Sequence, residues 1–185
     1  MSTVTNTATS PLTLPRDQWT RHPHYPRQTL LLNSHESFRR TSRVLLRRAE
    51  GGSDAAAIGW VFRAWKAAMR SHEGYEEHKL YPYLERRWGL SMATAEEGHR
   101  KLAELDAAVR GAVTAIPTGG DATPALADAL RAHDEALVAH LALEEALVIP
   151  ALLALEPAEF EDYSMSDIRG LLQRLDEREA ASRIG

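Results

Sequence analysis

One pattern occurs twice in this chain, within sequence that otherwise reads as helix: a histidine, three residues, two glutamates, four residues and a proline. The first copy runs from His72 through Glu76 and Glu77 to Pro82, the second from His140 through Glu144 and Glu145 to Pro150. Residues four apart on an α-helix share a face, so each copy presents an imidazole and a carboxylate to a common point. At about 100° per residue, Trp65, Met69, His72, Glu76, Leu80 and Tyr83 form one stripe. Leu126, Leu130, His133, Leu137, His140, Glu144 and Val148 form another. Both stripes are otherwise apolar, and a glutamate is hardly ever buried without a partner. Two inward glutamates, each one turn from an inward histidine, call for compensating charge at the centre of the fold. A pair of metal ions held between facing helices would supply it.

The remaining sequence reads as helices, with no strand pattern. A first helix over about 28–50 stops at Gly51-Gly52, a second over about 53–88 stops at Gly89, and a third, N-capped by Ser91, continues to about 116. Pro117 to Asp121 is a break, and Thr123-Pro124 opens a fourth helix that reaches about 155. Four long helices with short links predict an all-α, up-down-up-down four-helix bundle over 28–155. Residues 1–27, rich in Ser, Thr and Pro, read as an extended arm that Trp19 pins to the body. His22 and His24, flanked by prolines in that arm, read as exposed. Residues 156–185 read as a C-terminal helical extension, with a polar helix from about 166 to 183 on the outside. Pro82 and Pro150 stand at matching offsets, which suggests two helix ends built to one plan.

Composition excludes several classes. The absence of cysteine removes disulfides, thiolate catalysis and iron–sulfur clusters. A net charge of -4 over 185 residues argues against general nucleic-acid binding. The basic run Arg39, Arg40, Arg43, Arg47 and Arg48 reads as a solvated helix face. No secretory leader pattern and no apolar run of membrane-spanning length stand out, so a cytoplasmic protein with neither membrane nor nucleic-acid partners is the expectation.

His35 on the first helix and His99 on the third would add two imidazoles to the ring. More than four ligands do not suit tetrahedral structural zinc, and a histidine–carboxylate set suits iron or manganese. In order, His35, His72 with Glu76, His99, and His140 with Glu144 resemble the hemerythrin-like HHE cation-binding domains, over about 29–155. The resemblance implies a bundle around two non-haem iron ions, oxo- or hydroxo-bridged, with Glu76 and Glu144 bridging and the four histidines as terminal ligands. It implies O2, H2O2 or NO as small ligands, and an external electron donor where turnover needs one. Oxygen carriers of this kind have a second histidine four residues after the third-helix ligand, where this chain has Ala103. Glu73 stands at an alternative ligand position and would favour redox turnover or iron sensing over reversible carriage, with peroxide handling the leading expectation. A binding or sensing module, and an oxygenase or oxidase for an organic substrate, are the alternatives. The latter needs a pocket, for which Ala67, Ala68, Ala95, Ala103, Ala107 and Ala136 are candidate small residues.

Several flanking residues carry their own expectations. Tyr75, at about 60° from His72, either reaches a metal-bound oxygen species or packs between helices. Glu77, Glu145 and His78 fall off the stripes and read as solvated or surface-paired. If the third and fourth helices are antiparallel with His99 and His140 level, then Asp106 and His133 are level too. They should touch about 10 Å from the metals, with Trp65 and Ser42 in the same layer. The pair serves either as a self-satisfying core contact or as a relay.

Overall fold

The computed structural model describes residues 12–28 and 30–182. Two short helices, α1 (Arg16–Trp19) and α2 (Tyr25–Gln28), lead into four longer helical stretches. These are α3 (Leu30–Glu50); α4 (Ala55–Tyr75), continued by a π-helical turn at Glu76–Leu80 and by α5 (Tyr81–Trp88); α6 (Ala93–Thr114); and α7 (Pro124–Leu153). A final helix, α8, spans Pro157–Ser182. Among the described residues the one extended pairing is an isolated bridge between Asp54 and Asp121.

Local chemistry sets most boundaries. Gly52 ends α3 with φ at +66°, a conformation that costs glycine nothing. The Asp54 carboxylate accepts from the Ala56 and Ala57 amides and starts α4. The Thr123 hydroxyl accepts from the Leu126 amide, with Pro124 in the first turn of α7. Ser91 does not cap the third helix: the cap position falls on Met92, which makes no side-chain cap bond and is instead buried in the core.

Three further expectations are corrected. Of the arm expected over 1–27, residues 1–11 lie outside the described residues, and 12–27 are not extended: α1 and α2 pack on α7, and Trp19 is buried while donating to the Leu14 carbonyl. His22 and His24 are half-buried rather than exposed, with His24 Nδ1 3.2 Å from the Leu153 carbonyl. The last helix starts nine residues earlier than its polar stretch suggested, because Phe160 and Tyr163 join the core. Helix α7 is also long and apolar enough to cross a bilayer, contrary to expectation, but most of that stretch is buried inside the protein.

The central packing is α7 against α3 and α6, with α4 against α3 and α6. Two apolar clusters fill the interior. One holds Leu31, Leu80, Tyr81, Ala95 and Val148; the other holds Phe38, Met69, Leu102, Leu137 and Leu141. On every long helix the motif residues lie between a member of one cluster and a member of the other. The buried histidines and glutamates thus form a polar layer sandwiched between two apolar ones.

The two prolines at matching offsets have different outcomes. Pro82 comes directly after the π-helical turn and sits in the first turn of α5, whereas Pro150 lies inside an uninterrupted α7. A proline in a regular helix clashes with the carbonyl four residues back, and the wider π turn relieves that clash. The turn also rotates α5 relative to α4. Tyr81 and Leu84 point inward, and Tyr83, assigned to the inner stripe on a straight helix, is half-buried and turned toward α8, where its hydroxyl bonds Glu159.

Candidate metal centre

Three ligand atoms converge tightly. His35, His72 and Glu76 each offer one donor atom, all within 4.8 Å of one another. His35 Nε2 lies 3.0 Å from His72 Nε2, and Glu76 Oε1 lies 2.8 Å from His72 Nε2 and 3.7 Å from His35 Nε2. The second Glu76 oxygen, Oε2, turns the other way, 3.4 Å from His99 Nε2. Glu144 Oε2 is 3.5 Å from His35 Nε2 and 3.8 Å from His140 Nε2, and the His99 and His140 rings meet edge-on with centroids 4.7 Å apart. Six of the seven expected ligands therefore meet in one layer.

That layer is buried and short of partners. Both oxygens of Glu76, Oε2 of Glu144 and Nε2 of His99 are buried with no hydrogen bond. A buried carboxylate oxygen without a donor costs several kcal/mol, and a cation is the partner that both oxygens and imidazole lone pairs accept in common. The residues present fit a metal.

The second glutamate of each motif organises the layer. Glu145 Oε1 lies 3.1 Å from His35 Nδ1, and Glu77 Oε1 lies 2.8 Å from His99 Nδ1. In both cases one motif orients the histidine of a neighbouring helix. A carboxylate on Nδ1 fixes the proton there and leaves Nε2 to face the centre. The expectation that these glutamates are solvated or surface-paired fails for Glu145, which is fully buried, and holds for Glu77, which is exposed and paired with His99. A position 100° off an inward stripe can reach the next helix of a bundle. The doublet in both copies was the available signal. Glu145 is in turn held by Arg39 at 2.7 Å and by Arg16 at 2.6 Å. Arg39 thus leaves the solvated face assigned to it and is buried, while Arg40, Arg43, Arg47 and Arg48 remain exposed. His78 is exposed, as expected.

Tyr81 was missed for want of the π turn. Its hydroxyl donates to Glu144 Oε1 at 2.7 Å, and its ring stacks on His99. Gly98 has a packing reason: a Cβ there would stand 2.2 Å from His140 Nδ1.

Other expected residues lie at the margin. Glu73 is half-buried and pairs with Lys66 Nζ at 3.3 Å. Tyr75 turns away, its hydroxyl bonded to that of Tyr163 on α8, which favours its helix-packing role. Of the small residues, Ala95 is buried and Ala136 half-buried, but Ala67, Ala68, Ala103 and Ala107 face outward and open no pocket in the core. His133 does meet Asp106, Nε2 to Oδ1 at 2.9 Å, beside the Trp65 ring. Ser42 is buried as well. Lys66, which lies off both helical stripes, bonds the other Asp106 oxygen at 3.1 Å. Glu73, Lys66, Asp106 and His133 thereby form one chain of contacts leading away from the centre.

The charges in this layer are displaced from their ordinary behaviour. Burial lowers the His35 imidazole, but its bond to Glu145 and the nearby charges of Glu76 and Glu144 outweigh burial and raise it to about 9. Burial opposes His99 in the same way, and Glu76 and Glu77 raise it to about 9. Burial, with the charge of His99 behind it, drives His140 down to about 4. Burial pushes Glu76 up, yet three imidazoles hold it well below the carboxylate range; Glu144 is pushed up, by burial first and the Glu76 charge second.

The hemerythrin HHE cation binding domain model matches residues 28–152, and the chain belongs to that family. No curated protein and no solved structure gives a significant match. The His/Glu layer is the candidate cation site of this domain.

Two outcomes are expected. In the metal-free protein His35 and His99 hold protons below about pH 9, so metal must displace them and its apparent affinity should rise from pH 7 to pH 9. The slope approaches about tenfold per pH unit for each imidazole deprotonated. Metal titrations at pH 7, 8 and 9 measure it, and a flat profile contradicts it. Lys66→Met leaves buried Asp106 with His133 as its remaining partner and half-buried Glu73 unpaired, and should cost about 3 kcal/mol in urea unfolding. A loss under about 1 kcal/mol would mean that Glu73 and Asp106 do not depend on it.

Proposed function

We propose that this domain holds two iron ions and uses them to react with a small oxygen species, hydrogen peroxide foremost. One observation carries the reading: the two oxygens of Glu76 face different histidines, Oε1 toward His35 and His72 and Oε2 toward His99, and neither has a hydrogen bond. A carboxylate presented in this way is arranged to bridge two cations. His35 and His72 would hold one ion, His99 and His140 the other, and Glu144 would span them from the opposite side. Glu144 can do so while Tyr81 donates to the outer lone pair of its Oε1. The placement of the apolar clusters supports an up-down-up-down order and this arrangement. The apolar cluster containing Leu31 and Val148 comes before the ligands on α3 and α6 and after them on α4 and α7.

A pair of iron ions would supply reversible electron storage and open positions for O2, H2O2 or NO. The protein's part is to hold, orient and charge the layer. Glu77 and Glu145 fix the imidazole protons on Nδ1. Tyr81 keeps a hydrogen-bond donor at the centre in a site without other hydroxyls. Glu73, half-buried and paired with Lys66, is positioned to accept a proton near the layer or to swing in as a further ligand. Ala103, exposed where oxygen carriers have a histidine, supports redox turnover over reversible carriage.

Protein grown with iron should contain about two irons per chain. His99→Ala should retain about one, in the His35–His72–Glu76 half, and Glu76→Ala should retain less than one; elemental analysis reads all three. Iron-loaded protein should release oxygen from peroxide through many turnovers at an oxygen electrode. Two irons without turnover would move the reading to an O2 or NO binding module, and loss of no iron in Glu76→Ala would remove the bridge.

A further inference from the structure

Outside the polar layer, a cavity of about 300 Å³ opens against the far side of His72. Its floor belongs to the bundle: Leu31 and Ser34 on α3, His72 and Tyr75 on α4, Leu80 on the π turn and Leu152 on α7. Its roof does not. Phe160, Tyr163, Ser164 and Asp167 all come from α8, beyond the residues 28–152 that match the family. The cavity therefore joins the matched domain to the helix that follows it.

The lining has a definite chemistry. Four rings stand around it, those of His72, Tyr75, Phe160 and Tyr163, and its exposed surface is mainly apolar. Ring faces and edges favour another ring by stacking or edge-on contact. A cavity of about 150 Å³ holds benzene, so this one has room for one ring or two fused rings. The polar groups gather at one side. Tyr75 and Tyr163 share a hydroxyl–hydroxyl bond, which leaves one of the two protons for a further acceptor. Lys79, paired with Asp167, lies over both tyrosine rings. Gln28, which also lines the cavity, is buried with Oε1 lacking a hydrogen-bond partner. Those groups ask for a ligand with one polar substituent able both to donate and to accept.

We propose that this cavity binds a hydroxylated aromatic molecule of one or two rings, its ring among Phe160, Tyr163 and the leucines and its hydroxyl against the Tyr75–Tyr163 pair. Binding itself requires no metal. Its importance rests on the di-iron reading: a ring held there would meet the metal centre across the His72 imidazole, where an organic co-substrate is needed.

The test is calorimetric titration of the full-length protein, as purified, with phenol and 2-naphthol as probes and cyclohexanol as the non-aromatic control. Both aromatics should bind saturably at one site per chain, 2-naphthol the tighter, and cyclohexanol at least tenfold more weakly. Ser164→Trp, which places an indole in the cavity from the roof, should weaken 2-naphthol at least tenfold with metal content unchanged. Tyr163→Phe should weaken it several-fold while keeping the ring. No saturable binding, equal binding of cyclohexanol, or wild-type binding by Ser164→Trp overturns the site. Metal content is read separately, so protein grown with iron that holds none and still binds 2-naphthol refutes the di-iron reading and leaves the cavity standing.

Discussion

The structure is organised around a debt of charge: Glu76 and Glu144 lie at the middle of four helices, almost without exposed surface, and three of their four oxygens have no hydrogen bond. Neither carboxylate could remain there on packing alone, since its desolvation exceeds what the flanking leucines contribute. The imidazoles meet part of the need, and cations would meet the rest. The apolar clusters on either side bury the layer, which strengthens every charge interaction within it. The fold can thus be viewed as two hydrophobic plugs closing a polar slot, and metal binding would stabilise it in proportion to affinity.

Around the slot, orientation comes from the periphery. Glu145 accepts from His35, Arg39 and Arg16 together, so a fully buried carboxylate has three donors and no unmet need. Arg16 belongs to α1 and lies over the Trp19 ring. The N-terminal segment is therefore coupled to a candidate ligand through one glutamate. On the opposite side Glu77 holds His99 from an exposed position, where salt and solvent screen it more. The two halves share a plan but not an environment.

Much of this was legible in the duplicated motif. Inward histidines and glutamates, four long helices and the level pairing of Asp106 with His133 come from helical period and the antiparallel arrangement of α6 and α7. What was not legible arose from departures from that period or from neighbours on other helices. The π turn after Tyr75 brought Tyr81, not Tyr83, to the centre, and nothing in a 3.6-residue wheel announces it. Glu77, Glu145 and Arg39 lie beside the stripes, at positions whose partners are contributed by the next helix. Lys66 has the sequence character of a surface residue, and only the fold shows Asp106 and Glu73 enclosing it. The cavity at His72 depends on α8, whose apolar residues Phe160 and Tyr163 are too sparse to mark it as core.

The central claim is two cations sharing Glu76. Anomalous diffraction at the iron edge from crystals of iron-loaded protein tests it most directly. The account predicts two peaks about 3.5–4 Å apart, one beside His35 and His72 and one beside His99 and His140, each within bonding distance of a different Glu76 oxygen. A single peak, or two peaks with Glu76 bound to only one, would contradict it.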